Sequence, residues 1–314
     1  MKSLAAEAHS PVSSMKDRLV RRFHSSNPTT GRDHRRSTVS PQGFEEIHGY
    51  KPSTRKTKTT ARLRNIRELT YVSSAKEQLQ IGSSGVSSQQ VVVPDTTLFP
   101  WRASAALRIT VPGQSEVFNG TGWFIGPYAL ATAAHAVFPR EFGGHIGWAS
   151  SIEVIPGLNG DSNPPPFGVF RSTSFFCPNG WQDSGDTRVD YGAILLEQSV
   201  GSEVGTLGYA TYSDQDILQS VANLTGYPVD PPNANSSPGT QWYGAGAVSH
   251  VDETFIYYNL DTLPGESGSA VYRNIGDQSF VMAIHEAVIG DSDRGLRIIE
   301  PVYENLQQWA NMRP

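Results

Sequence analysis

From Val91 to the C-terminus, apolar residues come in runs of four to seven that alternate with turns rich in Gly, Pro, Asn and Asp. Ala106–Val111, Gly122–Ile125, Ile152–Ile155, Tyr191–Leu196, Val221–Gly226, Ala245–Val251, Phe255–Tyr258 and Phe280–Ile284 are such runs. Runs this short make strands, and no helix-length apolar pattern alternates with them. That argues against βαβ units with a parallel sheet and predicts an all-β, antiparallel fold. One exception closes the chain. Pro301 suits a first helical turn, and Val302, Leu306 and Trp309 share one face, which predicts a helix over about residues 301–312.

Charge divides the 314 residues in two. Residues 1–90 carry 16 Lys and Arg against 7 Asp and Glu, a net of +9, whereas residues 91–314 carry 9 against 23, a net of −14. Every basic residue after Lys76 is Arg. The first part is rich in Ser, Thr and Arg, and a stretch such as Pro52–Thr60 has no large apolar side chain to bury. We therefore expect a mostly disordered basic leader over 1–90, with a short helix over Arg62–Tyr71 and a flexible linker over Gly82–Gln90, followed by one folded unit over 91–314. The acidic unit would repel phosphate, so nucleic acid is not an expected partner. No window approaches the roughly 18 apolar residues of a membrane span, and no apolar signal segment is visible near Met1. Cys177 stands alone, so neither an intramolecular disulfide nor a cysteine-based zinc site is available. No metal-ligand spacing stands out, and no cofactor is expected.

Three local patterns carry chemistry. In Leu130–Val137 a strand ends among small residues and presents His135. Asp190 opens the apolar run Tyr191–Leu196. In Leu263–Val271, Gly265 and Gly268 flank Ser267 just before a strand, and Gly265 permits a turn that aims successive N–H groups inward, where they can hold a developing oxyanion. Each pattern alone is ordinary. Together they supply a nucleophile, a base and an acceptor that fixes the base's tautomer. Their order, His135 then Asp190 then Ser267, on an all-β chain is that of chymotrypsin-like enzymes. The turn is not the elbow of an α/β hydrolase, which needs Gly where Ser269 stands.

Further motifs narrow this. Gly120–Pro127, Ile155–Gly160 and Gly239–Trp242 resemble the bacterial glutamyl endopeptidases, the V8-like branch of the chymotrypsin-fold serine proteases. The resemblance covers nearly all of 91–314 and none of 1–90. It implies a chymotrypsin-like double antiparallel β-barrel with the catalytic cleft between the barrels. It also implies a secreted enzyme made as a zymogen, acting on proteins or peptides, monomeric, with its own pro-region as inhibitor. Carried over by motif, His135 is the general base, Asp190 orients it, Ser267 attacks, and the N–H groups of Gly265 and Ser267 form the oxyanion hole. The family reads a glutamate side chain with a Thr five residues before the Ser, a His on a later strand, and the mature amino terminus. Thr262, His285 and Val91 match, placing the maturing cut after Gln90 and predicting cleavage after Glu, less readily after Asp. If His285 must be protonated, that preference fades at alkaline pH.

Three acidic residues depart from the pattern or leave it open. Glu286 follows His285 where neutral residues are usual, and in an extended strand it faces away from it. Glu266 precedes Ser267, where trypsin-like enzymes use an Asp to bind their new amino terminus, so Val91 has a rival destination. Asp261, six before Ser267, stands where trypsin keeps its specificity Asp, which leaves cleavage after Arg or Lys open. A non-catalytic homologue on the same fold is the other alternative, though such proteins usually lack a triad residue.

Overall fold

The computed structural model describes residues 7–15, 46–52, 90–142, 145–160, 164–230, 237–289 and 292–314. The expected helix at 62–71 and the linker up to residue 89 lie outside them.

Strands dominate the described chain, in two sheets. The first is antiparallel throughout. Its central strands are Ser174–Pro178, Gly192–Leu195, Ala129–Thr132, Val117–Phe124, Ser104–Thr110 and Ser151–Pro156, in that spatial order. In the second, Gln278–Ile289, Ala270–Ile275, Val221–Gly226, Trp242–Val251, Phe255–Tyr258 and Ser292–Arg297 pair in turn. The last of these pairs back to Gln278–Ile289, which closes a six-stranded barrel. The expected all-β, chymotrypsin-like architecture is therefore present. The expected strand Val221–Gly226 is found with the same bounds, and the C-terminal helix runs Glu300–Ala310. That helix places Val302, Leu306 and Trp309 in the core, beside Trp123, Phe124 and Leu130 of the first sheet. The barrel keeps its own cluster around Leu224, Ile256, Tyr258 and Val271.

Two stretches of the leader are in place, and neither has a core of its own. Pro11–Ser13 adds an antiparallel edge strand to Ser174–Pro178. His9 Nδ1 lies 3.0 Å from the Tyr191 hydroxyl, and Asn305 Nδ2 donates to the His9 carbonyl at 2.8 Å. Ile47 bridges Tyr209, and Tyr50 bridges Thr206. Both stretches pair their backbone with residues 91–314 and pack Ala8, Val12, Met15 and Ile47 against its core.

Strand pairing explains how the site is assembled. Gly192 sits opposite Thr132 in the ladder. Three residues beyond Thr132, the single helical turn Ala134–Val137 carries His135; two residues before Gly192, the 3₁₀ turn Thr187–Val189 delivers Asp190. A Cβ on Gly192 would meet the Phe176 carbonyl at 2.7 Å and Val137 Cγ2 at 2.8 Å, so only glycine lets the histidine turn pack onto this strand.

Candidate active site

His135 Nδ1 lies 2.7 Å from Asp190 Oδ2, and the His135 backbone N–H donates to Asp190 Oδ1 at 2.9 Å. The carboxylate thus fixes both the ring and the turn that carries it. The Asp190 side chain is only 3% exposed, whereas His135 keeps 26% of its side chain open to solvent. With Nδ1 committed to Asp190, Nε2 is the ring nitrogen left for chemistry. Burial works against an imidazolium at His135, but the charge and hydrogen bond of Asp190, with Glu286 further off, outweigh it and hold the pKa above its ordinary 6.5.

Ser267 and Gly265 line the same cleft as His135, with Val229, Pro264, Phe118 and Gly120 among its walls. The Ser267 hydroxyl donates to the Glu286 carbonyl at 3.1 Å. Its loop is held from the first sheet by one residue. Thr121 donates its hydroxyl to the Gly265 carbonyl at 2.9 Å and its N–H to the Ser267 carbonyl at 2.9 Å. Gly265 and Gly268 have φ of 99° and 87°, values that L side chains rarely adopt. With the carbonyls so engaged, the N–H groups of Gly265 and Ser267 donate to no backbone carbonyl among the described residues.

Thr262 and His285 are both buried, but each is already engaged. The Thr262 hydroxyl donates to Asp293 Oδ1. His285 Nδ1 lies 2.8 Å from the Tyr258 hydroxyl. Burial, with the positive charge of His135 nearby, pushes the His285 pKa down to about 3. The shift disfavours the imidazolium form of His285 in the substrate-free site. Asp261 is exposed, at φ 47°, and the buried carboxylate near Thr262 is Asp293. Val91 pairs with Tyr243, while Gln90 before it donates its side-chain amide to Glu266 Oε2 at 2.9 Å. Glu266 is buried and its other oxygen has no partner; burial pushes its pKa up to about 7 against the bonds from Gln90 and Leu263. Glu286 sits at an irregularity of the ladder, between His285 opposite Gly295 and Ala287 opposite Arg294, and forms a two-pronged pair with Arg294 at 2.8 and 3.0 Å. Burial and Asp190 still raise its pKa, Arg294 opposing them.

Sequence reasoning did not single out Thr121, Tyr258, Arg294 or Asp293. Thr121 lay inside a quoted motif, and only its contacts across the barrels reveal its role. Asp293 lies in Ser292–Arg297, a stretch whose Asp, Gly and two Arg read as a turn.

Comparison with known proteins decides the family. No family model matches the chain. A glutamyl endopeptidase of Bacillus licheniformis is 36% identical over 248 residues, which is 76% of this chain and 72% of that protein. The chain belongs to the glutamyl endopeptidase family of serine proteases. It is therefore a serine endopeptidase on a chymotrypsin-like fold. A Bacillus subtilis protein named extracellular metalloprotease is 34% identical over 236 residues, 75% of this chain and 72% of its own length. Among the described residues, no three His, Cys, Asp or Glu side chains are grouped to hold a metal ion. A solved Glu endopeptidase, in complex with MPD, superposes with a TM-score of 0.60 at 24% identity, covering 73% of this chain and 99% of that one, a likeness of fold.

Proposed function

We propose that this family member cuts peptide bonds through His135, Asp190 and Ser267, with the N–H groups of Gly265 and Ser267 as the oxyanion hole. The observation that carries the reading is the 2.7 Å contact between His135 Nδ1 and Asp190 in the cleft that Ser267 also lines. In the proposed cycle the Ser267 hydroxyl turns from the Glu286 carbonyl to His135 Nε2 and gives up its proton there as Oγ attacks the substrate carbonyl. The imidazolium, steadied by Asp190, returns that proton to the leaving amine. A water, deprotonated by the same nitrogen, then hydrolyses the acyl-enzyme. Ser267→Ala is expected to lower kcat by about 10⁴-fold or more with the fold retained. Near-normal turnover in that variant would refute the triad.

We further propose that residues 1–90 form a pro-region removed by a cut between Gln90 and Val91. Two observations support this. The leader docks in two places on the acidic unit, and Gln90 is wedged against Glu266, a buried carboxylate with one unpartnered oxygen. A freed amino group at Val91 would supply the cation Glu266 lacks. The expected substrates are proteins or peptides, and the working form is a monomer. The extracellular name of the Bacillus subtilis relative supports export.

The names of the relatives support cleavage after Glu, read by Thr262, His285 and Val91. Cleavage after Arg or Lys is the second reading, favoured by one observation: a resident carboxylate holds the hydroxyl of Thr262. Paired peptides differing only in Glu or Arg before the cut separate the two.

A further inference from the structure

A hollow of about 270 Å³ opens beside Ser267 and His135, and most of its walls are apolar. Ile109, Val111 and Pro139 form a buried floor, while Phe118, Val229 and Pro264 form a rim that solvent reaches. The rim is tied to the nucleophile loop. The Val229 N–H donates to the Pro264 carbonyl at 2.7 Å, and a Cβ on Gly265 would meet Val229 Cγ2 at 3.0 Å. No Asp, Glu, Lys or Arg among the described residues lines the hollow, although residues 91–314 carry 23 acidic side chains. Small-molecule pockets begin at roughly 300 Å³, so this space suits one or two side chains of an extended peptide. A second hollow shares Asn119, Gly120 and Val229 with it but not Ser267 or His135, so the groove continues away from the nucleophile.

We propose that this hollow is a subsite for the leaving half of the substrate, taking a large apolar side chain such as Leu, Ile or Phe from the first two residues after the cut. The inference rests on the triad reading and deepens it. Three observations support it. Thr262, His285 and Val91, the residues assigned to the side chain before the cut, do not line the hollow. In the proposed cycle His135 returns a proton to the leaving amine, so the leaving segment passes that ring, and Ala136 and Pro139 continue the wall beyond it. Finally, a Leu or Phe laid against Phe118 and Val229 removes apolar surface on both partners from water. A charged side chain would lose hydration there and find no partner of opposite charge. The competing account is that the hollow holds a residue upstream of the cut.

The test reads the leaving side alone. The full-length protein is treated by limited proteolysis to release its leader, and active sites are counted with a fluorophosphonate. One fixed peptide ester then forms the same acyl-enzyme in every assay, and dipeptide amides compete with water to release it. Leu-Leu amide and Gln-Gln amide are similar in size and equal in charge, so they differ in polarity. We expect the ratio of aminolysis to hydrolysis to be about tenfold or more higher for Leu-Leu amide, and Val229→Asp to erase most of that difference. Both amides meet one acyl-enzyme, so a slower Val229→Asp protein still reports the ratio. Equal ratios in the unaltered protein, or an undiminished difference in Val229→Asp, would overturn the subsite and leave the triad standing. A preference that follows apolar residues upstream of the ester instead would do the same. Should Val229→Asp fail to fold, Phe118→Ser is read by the same ratio with the same two outcomes. A protein that neither labels nor acylates refutes the triad reading and the proposal with it.

Discussion

At the scale of single residues, the site works by committing groups before substrate arrives. Asp190 spends one oxygen on the backbone of His135 and the other on its ring, so neither the tautomer nor the position of the base is left free. The pH dependence follows. As the proposed general base His135 must be neutral to act, and its pKa is raised by Asp190 and Glu286. The acid limb of kcat/KM is therefore expected to have its midpoint above pH 6.5, the ordinary value for His. Glu286→Gln should move it towards acid, since one of the raising charges is removed. A midpoint at or below 6.5 in the unaltered protein would contradict the assignment. Gly268 provides a second check. A Cβ there would run into the Thr121 carbonyl and the Thr132 hydroxyl, at a φ of 87°. Gly268→Ala is expected to move the nucleophile loop and cut kcat by about 100-fold, because roughly 1 Å of misplacement has that effect. The assay is turnover alongside a thermal melt, and full activity would mean that the loop does not depend on this contact.

At the scale of elements, local pattern and long-range pairing contributed differently. The runs around Val221–Gly226 and Phe255–Tyr258 were legible because β-branched or aromatic residues bounded by turns have few other uses. The C-terminal helix was legible from three apolar positions on one face. Ser292–Arg297 was not, because its residues carry no strand preference and its place comes from pairing with two neighbours. The same division holds in the site. His135, Asp190 and Ser267 stood out because each sits in a short recognisable context. The partners of Thr262 and His285 lie 31 and 27 residues away in sequence, and no spacing rule connects them. Trp309 tests whether the helix belongs to the core: it is 1% exposed and its ring centroid lies 5.7 Å from that of Tyr191, next to Asp190. Trp309→Ala should destabilise the protein by about 3–5 kcal/mol in chemical denaturation. A loss below about 1 kcal/mol would show the helix to be peripheral.

At the scale of the whole molecule, residues 1–90 carry a net +9 and residues 91–314 a net −14. Leader contacts at Pro11–Ser13 and Ile47 bracket the unit, and the chain returns at Gln90 onto Glu266. The buried, raised pKa of Glu266 has a definite sign. A carboxyl group whose folded pKa exceeds its unfolded value contributes stability below about pH 4.5, and that contribution is lost as pH rises through about 7. The uncut chain should therefore lose melting temperature between those pH values, and Glu266→Gln should flatten part of that slope. Release of the Val91 amino group should flatten it too, by giving the carboxylate a cation. An identical slope in all three would contradict the placement of Gln90 and Val91 beside Glu266.

The central claim is that Ser267 is the nucleophile activated by His135, and the most direct measurement is the site of fluorophosphonate attachment on the processed protein. The adduct is expected on the peptide containing Ser267, and should disappear in His135→Ala. Labelling of another serine, or undiminished labelling of Ser267 without His135, would contradict the account.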